Sequence, residues 1–301
     1  MGTTYSIKYS SSLIPLYQIQ KEINNILNSI NDQMSTYIND SEISIFNKMS
    51  KDMEYIVSSD FYYVLDKSKY YYDLSNGLFD ITVEPLSELW GFYDKEFTLP
   101  SKKSIDSTKA YLGFDKIKLL DGNEIVKSNN QVKISLNAIA KGYAVDKITN
   151  YFDSNNIKNY MVEIGGEVKA KGSNSLEQKW KIGLSSFELE VGNVFEYVLI
   201  NDGALATSGD YRNFFVYDGV SYSHVINPIT GYPTESNVVS ATVLASNCID
   251  ADALATILNV MEPAESITLI NQLSNVECVI VERVEDGFHY YYSDDIKKYF
   301  N

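Results

Sequence analysis

Residues 135–146 read Ser-Leu-Asn-Ala-Ile-Ala-Lys-Gly-Tyr-Ala-Val-Asp and combine a lysine and a glycine at a change of pattern. The apolar run 132–136 predicts a strand, and the residues after it predict a helix over 139–154. The start of a helix offers backbone N–H groups and a positive dipole end to a phosphate, and Lys141 would add a charge. The segment therefore suits an anion site, although an ordinary strand–helix connection with a surface lysine would look the same.

A carboxylate and a hydroxyl share one face of a second predicted helix, at 250–261. Asp252 and Thr256 lie four residues apart there. Both are hard oxygen ligands of the kind that Mg²⁺ prefers, and Mg²⁺ commonly shares its coordination shell with phosphate. The alternative is a solvated helix start, in which acidic residues complement the dipole.

The chain has two histidines, and they lie in different settings. His224 ends a predicted strand just before a turn rich in proline and glycine, where binding groups are often found. An exposed or satisfied strand histidine is an equally good interpretation of the residue taken alone. His289 lies among tyrosines in a predicted closing hairpin, which indicates a structural role.

Three further segments carry polar groups beside residues that permit close approach of a ligand. Arg212 follows a run of small residues and would hold an anion or pair with Asp210. Glu163 precedes two glycines, which suit either a ligand or a hairpin turn. Asp80 stands beside an aromatic residue in the segment 77–91. None of these signals is specific alone.

The elements that must position these residues alternate irregularly along the chain. This order favours an α+β fold with mixed, largely antiparallel sheets and flanking helices over a doubly wound fold. With no linker or repeat, residues 1–301 are expected to form a single domain. The predicted helices are 15–34, 60–74, 139–154, 250–261 and one that opens at Pro263. The predicted strands and hairpins are 7–9, 119–126, 161–164, 167–171, 180–184, 196–200, 214–217, 222–226, 238–245 and a closing hairpin of 276–282 with 288–292.

Composition limits the possible partners. The 301 residues are 45% hydrophobic and carry a formal net charge of −15, so that nucleic acid and anionic lipid are disfavoured partners. An anionic ligand would need a local cluster of positive groups and a metal. No apolar run reaches the ~18–20 residues of a membrane span, so no transmembrane segment is expected. Cys248 and Cys278 lie in apolar runs and are expected to be buried free thiols.

Taken together, the chain resembles the FAD:protein FMN transferase family, also called ApbE-like flavin transferases. The match follows the family's order over most of the chain, at 34–37 with 41–44, 77–91, 138–146, 162–166, 204–213, 223–228 with 230–231, and 251–256. The chain departs from the family at Ser135 and Asn137, where the family usually has aspartate and serine.

The resemblance implies a transferase that uses FAD as substrate and requires Mg²⁺. A threonine hydroxyl of an acceptor protein would attack the riboflavin-side phosphorus, AMP would leave, and the acceptor would be covalently flavinylated. The Ala138 carbonyl, Asp252 and Thr256 would hold the metal. Lys141 would donate to the phosphate, and His224 would take the threonine proton. The implied catalytic residues are thus His224, Lys141 and Asp252.

The same resemblance implies the residues that contact FAD: Tyr37, Leu78, Phe79, Asp80, Ser135, Lys141, Glu163, Gly165, His224 and Ile226. The expected partner is a redox or respiratory subunit that carries a flavinylation threonine. The family suggests an extracytoplasmic, membrane-associated location after signal removal; a native N-terminus at Met1 would instead favour the cytoplasm.

Two other functions are open at this point. An FAD pyrophosphatase would use the same residues with water as the nucleophile and would give FMN and AMP. A non-catalytic flavin-binding protein would need neither the metal ligands nor His224.

Overall fold

The computed structural model describes residues 2–10, 13–92, 99–185, 194–209, 214–217, 220–234 and 236–301. The chain forms two compact units. The first unit comprises Met1–Leu27, Lys141–Gly209 and Ser236–Asn301, and the second comprises Asn28–Ala140 and Asp210–Glu235. The expectation of a single domain stays a prediction.

The helices and strands of the described chain are numbered in chain order. The helices are α1 Leu16–Met34, α2 Glu42–Lys48, α3 Ser59–Leu74, α4 Glu84–Leu89, α5 Lys102–Lys109, α6 Ala140–Ser154, α7 Cys248–Val260 and α8 Pro263–Asn271. The strands are β1 Tyr5–Tyr9, β2 Tyr55–Ile56, β3 Ile117–Leu120, β4 Glu124–Lys127, β5 Tyr160–Ile164, β6 Glu167–Lys171, β7 Trp180–Ser185, β8 Val194–Ile200, β9 Asp202–Ser208, β10 Phe214–Tyr217, β11 Val220–Ser223, β12 Val238–Ala245, β13 Glu277–Val284 and β14 Gly287–Tyr292.

An antiparallel sheet organises the first unit. Its order is β1-β5-β6-β9-β12-β13-β14, and the separate hairpin β7–β8 completes the strands of this unit. Helix α7 packs on β6, β9 and β12, and every residue of β12 is buried. A core cluster joins the sheet to the hairpin β7–β8 through Ala170, Trp180, Leu184, Val198, Ile200, Leu205, Leu244, Val279 and Ile296.

A buried tryptophan organises the second unit. Trp90, directly after α4, packs with Leu86, Ile105, Leu112 and Ile226. Its indole N–H donates to the carbonyl oxygen of Gly231 (3.0 Å), which fixes the turn that follows the hairpin β10–β11. Gly231 has φ +81°, and a Cβ there would lie 2.6 Å from a methyl of Ile105, so that only glycine fits. A small sheet, β2-β4-β3, lies in the same unit.

The predicted α+β class and largely antiparallel pairing are confirmed, and most predicted elements agree to within a few residues. Two predictions need correction, and one strand was not predicted. Residues 132–136 form no strand; their polar groups bond instead to side chains and loops. The predicted strand 222–226 is β11, Val220–Ser223, and it ends before His224. The central strand β9 went unpredicted, because Gly203, Ala204 and Ala206 have weak strand propensity.

Among the helices that the structure describes, none has the length and apolar character needed to span a bilayer.

One buried lysine predicts a measurable pH dependence of stability. Burial, with a smaller effect of Lys133, lowers the pKa of Lys127 to about 8 from an ordinary value of 10.5. Between these values the unfolded chain binds more protons than the folded chain, so the contribution of Lys127 to the free energy of unfolding rises with pH. Its slope should approach about 1.4 kcal/mol per pH unit. We expect urea unfolding from pH 7.5 to 10.5 to show this rise in the wild type relative to Lys127→Met. Parallel stability profiles would contradict it.

Candidate active site

The starts of helices α6 and α7 cap each other in the first unit. The Gly142 N–H, in the first turn of α6, donates to Asp252 Oδ2 of α7 (2.9 Å). In return, Asp146 of α6 accepts from the N–H groups of Cys248 (3.1 Å) and Ile249 (2.9 Å) at the start of α7. Each aspartate thus satisfies orphan donors at the positive end of the other helix. The two helix starts are thereby held against each other.

Glycine at position 142 is required by this crossing. A Cβ there would overlap the carbonyl oxygen of Cys248 and lie 2.8 Å from the Cβ of Asp252. The Lys141-Gly142 pair is therefore a packing signal as well as a chemical one.

Lys141 lies between two buried carboxylates. Its Nζ donates to Glu167 Oε1 of β6 (2.5 Å) and lies 3.7 Å from Asp252 Oδ1. Burial lowers the pKa of Lys141, but the charges of Asp252 and Glu167 outweigh burial and raise the pKa above its ordinary value. Lys141 therefore stays protonated near neutral pH. The sequence left open whether Lys141 belongs to an anion site or is an ordinary surface lysine. The second interpretation is wrong, because the ammonium is paired with Glu167 and Asp252.

Glu167 belongs to this cluster, although the sequence did not single it out. Its side chain is 2% exposed, and Oε2 is buried without a hydrogen-bond partner among the described residues. Burial, followed by the charge of Asp252, raises the pKa of Glu167 against the opposing ammonium of Lys141. The available signal was alternation in β6, which places Glu167 and Lys169 on one face directly after two glycines.

The cluster has the chemistry of a cation site. Lys169 pairs with Asp146 (2.8 Å), whereas the single ammonium of Lys141 faces two carboxylates. Because burial and the charge of Asp252 raise the pKa of Glu167 to about 8, an additional cation would be needed for both carboxyl groups to be ionised near neutral pH. In the described residues no group of three or more His, Cys, Asp or Glu side chains is placed to hold a metal. The set implied by the resemblance is different, since it uses one carboxylate, one hydroxyl and one backbone carbonyl.

The two predicted side-chain ligands lie together on α7. Asp252 is 5% exposed, so its interpretation as part of a solvated helix start is wrong. The Thr256 hydroxyl is half-buried and donates to the backbone oxygen of Asp252 (3.2 Å), which lies one helical turn earlier. Oxygen Oδ1 of Asp252, Oε2 of Glu167 and Oγ1 of Thr256 are hard donors of the type that suits Mg²⁺. The residues of this unit therefore fit a divalent cation.

Glu163 and Gly165 shape the turn between β5 and β6. The Gly166 N–H donates to Glu163 Oε1 (2.8 Å), and Gly165 has φ +65°. A Cβ on Gly165 would lie 2.8 Å from a side-chain carbon of Thr3. The two glycines thus meet backbone requirements, and the FAD contacts of Glu163 and Gly165 stay predictions.

The second unit holds the predicted FAD contacts that surround Asp80. The Asp80 carboxylate accepts from the Thr82 N–H (2.8 Å) and hydroxyl (2.6 Å), and burial raises its pKa. Phe79 is 2% exposed and contacts Tyr71 edge-on, so its ring belongs to the core. Leu78 is half-buried. Of these three side chains, only Leu78 keeps substantial exposed surface.

Other predicted residues of this unit lie in turns. Ser135 is buried, and its N–H donates to the Ile81 carbonyl (2.8 Å), next to Asp80. Ala138 is half-buried in the turn that precedes α6. Tyr37 is 78% exposed in the turn after α1. Ala138 belongs to the second unit and Asp252 to the first, so their joint role in metal binding stays a prediction.

His224 is exposed directly after β11, while Ile226 is buried in the core around Trp90. Ile226 bridges Pro233, and the Thr234 N–H donates to the Val225 carbonyl (2.8 Å), so the segment folds back on itself. The histidine therefore stands on an anchored turn. Arg212, which was expected to hold an anion or to pair with Asp210, lies outside the described residues, as does Asp210.

Comparison with known proteins gives this arrangement its family. The model of the ApbE family matches residues 1–280. The chain belongs to the ApbE family. Its curated relatives are named as transferases, so the chain belongs to a family of enzymes. Separately, Cys248 and Cys278 are both buried free thiols, as expected.

Relatives of this ApbE-family chain carry a common name. The protein named FAD:protein FMN transferase from Vibrio cholerae is 38% identical over 303 residues, which cover 99% of this chain and 90% of the relative. The protein of the same name from Haemophilus influenzae is 35% identical over 298 residues, covering 96% and 86%. The resemblance noted in the sequence is therefore confirmed.

Solved structures agree with the fold. The flavin transferase ApbE from Vibrio cholerae matches with a TM-score of 0.91 at 37% identity, covering 99% of this chain and 96% of that chain. The apo form of the flavinyl transferase ApbE from Pseudomonas stutzeri matches with a TM-score of 0.91 at 30% identity, covering 100% and 94%.

The helix crossing makes Gly142 a sharp test of the site. Alanine has the higher helix propensity, by about 1 kcal/mol, but its Cβ would press on the start of α7. We expect Gly142→Ala to destabilise the protein by roughly 1–3 kcal/mol or more through overpacking. Asn150→Ala, at an exposed position of the same helix, serves as the control and should be neutral or stabilising. A thermal midpoint for Gly142→Ala at or above that of the wild type would contradict the required close approach.

Proposed function

We propose that this ApbE-family protein is an Mg²⁺-dependent FAD:protein FMN transferase that modifies a threonine hydroxyl and releases AMP. The observation that carries the proposal is the buried cluster of Lys141, Glu167 and Asp252 at the start of α6. It combines a fixed ammonium and hard oxygen donors beside the positive end of a helix, which is a setting suited to a diphosphate with its metal. The names of the relatives supply the reaction class.

The transfer balances as a phosphoryl substitution. The threonine oxygen forms a bond to the riboflavin-side phosphorus of FAD, and the bond from that phosphorus to the bridging oxygen breaks. The proton of the hydroxyl passes to a base, and AMP leaves with the bridging oxygen. Lys141, protonated near neutral pH, donates to a phosphate oxygen as negative charge builds up. Asp252, Thr256 and the Ala138 carbonyl would hold Mg²⁺, which neutralises charge on the diphosphate.

His224 is proposed as the base that receives the threonine proton. A neutral imidazole can accept a proton at its unprotonated ring nitrogen, which is the role of a general base. Its exposure next to an anchored turn gives a protein substrate access to the ring without loosening the core at Ile226. The acceptor is proposed to be a redox or respiratory subunit, in accordance with the resemblance.

The metal assignment predicts a specific loss in Asp252→Asn. The amide oxygen of asparagine can still accept from the Gly142 N–H, so the helix crossing should persist while the carboxylate charge is lost. We expect calorimetry to show Mg²⁺-assisted FAD binding weakened roughly 10-fold or more, and transfer to be nearly abolished. Asp250→Asn, on the same helix, makes the same charge change and should retain both. Wild-type Mg²⁺ and FAD constants in Asp252→Asn would contradict the assignment.

The base assignment predicts a split between turnover and binding. His224→Ala should lower kcat about 10²–10⁴-fold, with little change in the dissociation constant for FAD. His289→Ala removes the histidine of β14, whose ring contacts Tyr291, and should leave kcat unchanged. Normal turnover with weakened FAD binding in His224→Ala would instead assign His224 to ligand packing.

A further inference from the structure

Several backbone polar groups of residues 132–135 are satisfied without pairing to another strand. The Val132 carbonyl accepts from Lys127 Nζ (2.9 Å). The side chain of Asn47 makes a pair of bonds to Ile134, accepting from its N–H (2.8 Å) and donating to its carbonyl (2.9 Å). The Ser135 N–H then donates to Ile81. The side chains of Lys127 and Asn47 thus supply hydrogen bonds that a neighbouring strand would otherwise supply.

Lys127 and Asn47 are also linked to each other. Lys127 Nζ also donates to the backbone carbonyl of Asn47 (2.9 Å), in the last turn of α2, where the helix dipole favours a cation. The ammonium also lies 5.4 Å from the ring centroid of Phe46. One ammonium therefore joins the end of α2 to Val132.

Burial of the Lys127 ammonium at this position destabilises the folded protein. It is 1% exposed, and no carboxylate among the described residues lies within ion-pair distance. Burying an unpaired charge costs free energy, and an apolar side chain of the same length would fill the space. What an apolar side chain would lack is directional donors to two carbonyl oxygens. The retained ammonium is thus explained by the geometry that it imposes on 132–134.

We propose that Lys127 and Asn47 form a clamp that positions the loop 135–138 for binding of FAD and Mg²⁺. This inference rests on the proposed function, in which the Ala138 carbonyl holds Mg²⁺, and on the FAD contact that the family resemblance implies for Ser135. The loop passes directly into α6, since the Leu136 carbonyl accepts from the Ile139 and Ala140 N–H groups. A shift of residues 132–134 would therefore displace both the Ala138 carbonyl and Ala140, the first residue of α6. Lys127 and Asn47 are positioning residues, and neither needs to touch a ligand.

The expected consequence is an affinity loss through the population of the ordered loop. If only a tenth of the molecules hold the loop in its binding geometry, the apparent dissociation constant rises about 10-fold while the ligand groups are intact. The chemical step in the fully loaded enzyme changes much less. The clamp therefore predicts a larger effect on the Mg²⁺ and FAD constants than on kcat.

The test uses two variants and a matched control. Lys127→Met keeps the length of the side chain and removes the donors; Asn47→Leu removes the bonds to Ile134 and leaves the Asn47 carbonyl in place. Lys118→Met, at an exposed position of β3 in the same small sheet, makes the same charge change. Amide hydrogen exchange of 135–138 is compared with that of α3 in the same unit, and the Mg²⁺ and FAD constants are measured beside kcat.

The clamp predicts an effect that is confined to the loop 135–138. Exchange at 135–138 should rise about 10-fold or more in both variants, α3 should stay protected, and the Mg²⁺ constant should rise by a similar factor. The Lys118→Met control should behave as the wild type. Equal acceleration at 135–138 and in α3, or unchanged constants in both variants, would overturn the proposal. The unmodified protein tests the proposed function separately, since a wild type that transfers no FMN contradicts that function whatever the variants do.

Discussion

The mutual capping of α6 and α7 is the interaction on which the candidate chemistry depends. Two buried aspartates, Asp146 and Asp252, each bond to the start of the other helix, and Gly142 allows the backbones to approach. Because Asp252 serves both as a cap and as a proposed metal ligand, its position is set by the packing of the helices rather than by the ligand. Lys141 then has little freedom, since Glu167 and Asp252 lie on either side of it.

Local electrostatics explain how an acidic chain can bind a diphosphate. The net charge of −15 would repel an anion at long range, and salt screens most of that repulsion beyond about 8–10 Å. In the proposed site, the Lys141 ammonium would contact the diphosphate, and a divalent cation would stabilise the ionised forms of Asp252 and Glu167. The positive charge of the metal and the negative charge of the diphosphate thus compensate each other when both are bound. This coupling is the physical reason for expecting FAD and Mg²⁺ to bind together.

Much of the fold was predictable, because strong periodicity survives in most elements. Helix α1 and the hairpin β3–β4 show clear apolar spacing or an Asp-Gly turn. Strand β9 escaped because small residues packed under α7 carry little strand signal. The run 132–136 has the alternation of a strand, but its backbone groups bond to the side chains of Lys127 and Asn47 rather than to a neighbouring strand, so the predicted strand is wrong. Glu167 was missed because its importance arises from a contact with Lys141, 26 residues away in sequence.

The most direct test of the account is a transfer assay with a matched pair of acceptor peptides, one with threonine at the acceptor position and one with valine. The wild-type protein, FAD and Mg²⁺ are incubated with each peptide, and the products are followed by mass spectrometry and by AMP release. The account predicts FMN attached to the threonine peptide only, one AMP per modified peptide, and no product without Mg²⁺. Free FMN with AMP from both peptides would instead indicate a pyrophosphatase, and unchanged FAD a binding protein; either result would contradict the central claim.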